Sequence, residues 1–170
     1  MKKVLVLLSI FLIQNVCFAK DSISFTFPEG GWHKVESPDN VAAKRCFVPN
    51  NQSKESYTEM VVFVERATNN TGISPMTILH KQLGKDRLNY RDIEPYYIKQ
   101  DFDDAMITWC SESKNTCVIR RAFQGKEGVV LASYENKMPH YSQNLFAKWS
   151  NILGSIKVYD ENSTGEKIEL

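Results

Sequence analysis

The sequence lacks the residue patterns that most enzymes and metal proteins need. Its three histidines, His33, His80 and His140, are scattered, and no His-Glu-x-x-His or paired-histidine spacing occurs, so zinc has no ligand set. There is no Gly-x-Ser-x-Gly elbow and no glycine loop suited to cradling a phosphate. An excess of one charge is missing too: 21 Lys and Arg stand against 20 Asp and Glu, which removes any bulk attraction to nucleic acid. No apolar run reaches the roughly 20 residues of a membrane-spanning helix. The expectation is a non-enzymatic protein with no cofactor and no metal. One loophole stays open, because a catalytic triad can assemble in space from distant residues.

What is present begins with MKKVLVLLSIFLIQNVCFAK. Lys2 and Lys3 form a positive head, residues 4–13 are apolar, and the small residue Ala19 precedes Lys20 and Asp21. That order is a secretory signal peptide, expected to be cut after Ala19. Cys17 follows Asn15 and Val16 where a lipid-attachment site wants small residues, so lipidation is not expected. The short two-lysine head is bacterial in type, which places the mature chain in the periplasm or outside the cell. Losing residues 1–19 leaves 19 basic against 20 acidic residues, a near-neutral chain. About 150 residues suffice for one domain with a real core, and no repeat period is visible.

An oxidising compartment decides how to read WCSESKNTCVIRR. Strand-type residues flank the polar, turn-like SESKNT, so the segment reads as a β-hairpin with Cys110 and Cys117 facing each other. Zinc would need two further ligands, and a thiol oxidoreductase would want two intervening residues rather than six. A disulfide is therefore expected, stabilising by about 2.5 kcal/mol on the chain-entropy account. Cys46 is left over and reads as a small buried strand residue.

Periodicity predicts the remaining elements. Residues 22–27 alternate and stop at the Pro28-Glu29-Gly30-Gly31 turn. Residues 32–36, 41–48 and 57–66 read as strands, the last of them central because four apolar residues run together. Ser74 and Pro75 mark a helix start, with Met76, Leu79 and Leu83 on its core face and Gly84 expected to fray it. Residues 93–100, 103–110, 117–124 and 129–136 form an antiparallel meander, since their connections are too short to cross over. A last helix over residues 141–153 presents Leu145, Trp149 and Ile152, ends at Gly154, and leads into a short edge strand at 156–159. The domain layout expected is a signal peptide at 1–19, one α+β domain at 20–159 and a flexible tail at 160–170. Its core is an antiparallel sheet of about seven strands packed with two helices.

That order, together with FTFPEGGW near the start and FAKWSNILGSIKV near the end, resembles the PsbP-like fold. This fold is shared by thylakoid-lumen PsbP proteins and periplasmic DcrB-type proteins. The resemblance covers most of the mature chain as an order of elements, and its motifs are generic. It implies an α/β/α sandwich and a binding or assembly factor rather than an enzyme.

Two function classes follow. In the first, a monomeric exported module contacts another protein through NYRDIEPYYIKQ, where Tyr90, Arg91, Tyr96 and Tyr97 are residue types that dominate interfaces. Pro95 limits sheet pairing there, so part of the segment should be loop or edge, with Tyr96 and Tyr97 facing opposite ways. In the second, a secreted effector-like protein binds an anionic lipid headgroup or a sugar phosphate through Lys81, Lys85 and Arg87 on the first helix.

Overall fold

The computed structural model describes residues 22–39, 44–64, 72–126, 128–137, 142–158 and 166–169. The expected signal peptide, its cleavage site, Cys17 and His140 lie outside these residues. Among the described residues the order is β1 (Ser22–Phe25), β2 (Trp32–Val35), β3 (Lys44–Pro49), β4 (Glu59–Val64), α1 (Pro75–Asn89), β5 (Tyr96–Gln100), β6 (Asp104–Ser111), β7 (Thr116–Gln124), β8 (Val129–Asn136), α2 (Gln143–Ser155), β9 (Lys157–Val158) and β10 (Glu166–Glu169). Seven strands form one antiparallel sheet in the order β2-β3-β4-β8-β7-β6-β5, so the protein is an α+β domain, as its periodicity predicts. A second sheet, β10-β1-β9, was not foreseen.

The meander forms as expected, with β5 to β8 each pairing antiparallel to the next. Cys110 and Cys117 are direct cross-strand partners on β6 and β7 and are joined by a disulfide. A disulfide fits an oxidising compartment. Among the described residues no helix is long and apolar enough to cross a membrane. Cys46 is buried and unpaired; burial pushes its thiol pKa up, although a hydrogen bond from Ser37 and the charge of Lys44 pull the other way.

Sequence neighbours are not always sheet neighbours. The meander runs back from the far edge, so β8 pairs with β4, and the chain must cross three strands to travel from β4 to β5. That crossing is α1, which packs on β6, β7 and β8. Strand alternation sends Ala105, Ile107, Trp109, Val118, Ala122 and Leu131 to the α1 face, against Ile78, Leu79 and Leu83. Met106, Ile119, Phe123, Val130, Ala132 and Tyr134 face the other way, against α2 and the small sheet.

Both helices run past a glycine, Gly84 expected to fray the first and Gly154 to end the second. Ser74 caps α1 by accepting from the Thr77 N–H, as predicted, and Ile78 rather than Met76 joins Leu79 and Leu83 in the core. Gly84 does not fray α1, because Asp86 two residues later is buried and its carbonyl accepts the Tyr90 N–H at 2.8 Å. In α2, Ser142 is the N-cap and Gly154 lies inside the helix. Arg121 explains the extension: its Nη1 donates to the carbonyls of Leu153 (2.7 Å) and Ile156 (2.8 Å), which a helix C-terminus otherwise leaves without partners. The same guanidinium grips Asp104 through Nε and Nη2. Burial opposes charge on Asp104, yet Arg121 and Lys99 win and hold its pKa below the usual carboxylate value.

The expectation of a flexible tail fails at its end. Residues 166–169 are β10, paired along the whole of β1, and Ile168 is only 7% exposed among Ile23, Phe25 and Trp149. Within this polar stretch the apolar Ile168 reaches the core. Removing residues 166–170 should therefore destabilise rather than leave the protein unchanged. Ile168→Ala alone is expected to cost about 2 kcal/mol or more in urea unfolding. Wild-type melts from both variants would show that β10 contributes nothing.

Candidate functional site

One 15-residue helix cannot cover this sheet. Seven strands span about 29 Å at about 4.8 Å per gap, against a helix diameter of about 10 Å. On the α2 face the small sheet fills the remainder. On the α1 face no described element lies over β3 and β4, and a cavity of about 620 Å³ opens between the flank of α1 and those strands. That volume is within the range of small-molecule sites.

Its walls come from four parts of the chain. Lys81, Gln82, Lys85, Asp86 and Asn89 project from α1, and Tyr90 follows at its C-cap. Cys46, Met60, Val62 and Val64 form an apolar wall on β3 and β4, with Tyr57 beside it. Trp109, Val118 and Arg120 come from β6 and β7, and Leu131, Ser133 and Glu135 from β8. Ser37, Asp39 and Lys44 close the side nearest β2.

Some of the polar groups are matched internally. Arg120 Nη1 pairs with the buried Asp86 carboxylate, and its Nε donates to its cross-strand partner Ser133 at 2.9 Å. Gln82 supports Asp86 from one turn earlier, at 3.1 Å. Lys44 pairs with Asp39.

Others have no partner among the described residues. The Trp109 indole N–H is buried and makes no hydrogen bond. No hydrogen bond or ion pair to a described residue engages Glu135, whose pKa is raised, first by burial, while Arg120 acts to lower it and Asp86 to raise it. Lys81 and Lys85 are exposed and one helical turn apart, with no ion pair among the described residues. Burial raises the Tyr90 pKa as well, and its ring lies 4.9 Å from that of Trp109.

The residues expected to form one interface patch are split up. Tyr90 lines the cavity, whereas Arg91 is exposed and does not. Tyr96 is 68% exposed on β5, and Tyr97 packs toward α1, its hydroxyl 3.1 Å from His80 Nε2. Strand alternation separates the two tyrosines as predicted, but the turn after α1 sends Tyr90 to a third environment. Pro95 ends the loop, and β5 is the sheet edge with a bulge between Tyr97 and Lys99. Of the three basic helix residues, Lys81 and Lys85 line the cavity and Arg87 does not.

Sequence reasoning missed Glu135, Arg120, Asp86, Trp109 and Tyr57. A signal for some of them existed. Val118-Arg120-Ala122 and Leu131-Ser133-Glu135 put polar residues on the α1 face of strands that are otherwise apolar there, and Asp86 takes the next core position after Leu79 and Leu83. Buried polar groups on apolar faces must pair within the protein or meet water or a ligand.

The chain matches no protein-family model and no curated protein.

Proposed function

We infer that the protein is an exported, non-enzymatic binding module whose ligand occupies the cavity between α1 and the sheet. One observation supports this above all: the cavity is lined by a carboxylate, Glu135, and by two lysine ammoniums that no described residue pairs. A buried carboxyl group beside a lysine pair selects a polar small molecule over an apolar one. The two lysines favour an anion. The basic residues suspected from sequence thus act at a cavity mouth rather than on an open helix face. The PsbP-like resemblance supports the non-enzymatic half of the reading, and the signal pattern with the disulfide supports export.

Any contact with a partner protein belongs to a different surface, the β5 edge, where Tyr96 is exposed and Phe102, in the following turn, is 87% exposed. Thermal melts with millimolar anionic metabolites test the cavity. A ligand at a hundredfold excess over its Kd should add about 2.7 kcal/mol of stability. The Tm rise should vanish in Lys81→Ala/Lys85→Ala and persist in Tyr96→Ser/Phe102→Ser. Loss of the rise in the edge variant alone would move the site to β5.

A further inference from the structure

We propose that the ligand is a phosphorylated polyol or sugar, with its phosphate between Lys81 and Lys85 and a hydroxyl donated to Glu135. This rests on the cavity being the ligand site and adds the ligand's chemistry. Pairing of Lys44 with Asp39 and of Arg120 with Asp86 removes those charges from the count of free groups. Among the charged lining groups, what remains is the two ammoniums as donors and Glu135 as an acceptor.

The donors call for an acceptor-rich anion. Residues four apart on a helix have Cβ atoms about 6 Å apart, close enough for two ammoniums to share one phosphate as point charges. A doubly charged phosphate monoester matches two lysines better than a single carboxylate does.

Glu135 then needs a donor from the other end of the ligand, either an ammonium or a hydroxyl. An ammonium is disfavoured by the surroundings. Arg120, Lys44 and Lys137 all lie within electrostatic reach of Glu135, and Lys137 Nζ already sits 3.6 Å from the centre of the Tyr57 ring. With Arg120 offset by Asp86 and Lys44 by Asp39, a further cation would still meet Lys137, whereas a neutral hydroxyl meets no like charge. The half-buried ring of Tyr90, backed by that of Trp109, lines the cavity beside these polar groups and suits the C–H surface of a sugar.

The source can be a free sugar phosphate or the headgroup of a phospholipid, and calorimetry together with vesicle sedimentation separates them. The titrants are glucose 6-phosphate, glycerol 1-phosphate, inositol 1-phosphate, inorganic phosphate, glucose and citrate, with vesicles of phosphatidylglycerol in phosphatidylcholine as the lipid arm. At least one phosphorylated polyol should bind roughly tenfold or more tighter than inorganic phosphate, the size of one charge-assisted hydrogen bond. Glu135→Leu should erase that advantage and leave inorganic phosphate binding in place. Glu135→Gln, which keeps the shape and one acceptor, should erase only part of it. Lys81→Ala/Lys85→Ala should weaken every anion. Vesicle binding displaced by a soluble polyol phosphate identifies a headgroup; soluble binding without sedimentation identifies a free ligand. Equal, lysine-dependent affinity for inorganic phosphate and all three polyol phosphates overturns the polyol assignment while the cavity stands as an anion site. Tighter binding of citrate overturns the phosphate. If no titrant binds in a lysine-dependent way, the cavity reading and the ligand assignment fall together.

Discussion

Trp149→Ala should lower the unfolding free energy by about 3–5 kcal/mol, the cost of deleting a large aromatic from a packed core. Trp149 is 1% exposed and sits where three layers meet. Its ring stacks on Tyr134 of the main sheet at 4.0 Å and 15°, and meets Trp32 edge-on at 5.4 Å. Ile23, Phe25 and Ile168 of the small sheet belong to the same core. Truncation therefore opens a cavity bounded by both sheets and α2, which cannot all move to close it. The hydroxyl of Tyr134, held by Glu59 at 2.8 Å, further fixes the facing ring. A Tm drop of about 10 °C is expected. A melt within a degree or two of wild type would show that the α2 stripe is not a core element.

The second large effect lies at the floor of the cavity. Asp86→Ala leaves the Arg120 guanidinium buried without its carboxylate, and breaking such a pair typically costs about 3–5 kcal/mol. The lower end is expected here. Glu135 is within electrostatic reach of Arg120, and Ser133 keeps its bond to Nε. Replacing both members, as Asp86→Leu/Arg120→Leu, should recover most of the loss, because a buried pair and an apolar isostere are often near equal in stability. Urea unfolding of the single and double variants decides between charge and shape. A double variant as unstable as Asp86→Ala would assign the cost to lost packing.

Much of the fold was legible because it is local. Alternation over 129–136 predicts β8 to the residue, and the apolar run near residue 60 correctly places β4 inside the sheet. Ser74 and Pro75 mark the start of α1, and the polar hexapeptide between Cys110 and Cys117 marks a hairpin with its disulfide. Where local signals misled, a distant group had intervened. Gly154 is a helix stop by composition, but Arg121, 33 positions earlier, satisfies the carbonyls around it. Gly84 is weak, but the turn beyond it is anchored by Asp86 to Arg120. The tail is polar, but one isoleucine at position 168 finds β1 nearly 150 residues away in sequence.

By itself the sequence determined the alternation of each strand, the stripe of each helix and the covalent staple, because these depend on neighbours a few residues apart. Tertiary structure alone decided that β8 pairs with β4 and that α1 crosses the sheet over β6, β7 and β8. From that crossing the cavity follows. Glu135, Trp109, Tyr57 and Lys81 come from four separate segments, and no periodicity links them. A helix about 10 Å wide leaves part of a seven-stranded face open, and which side chains line the gap depends on where the helix lands.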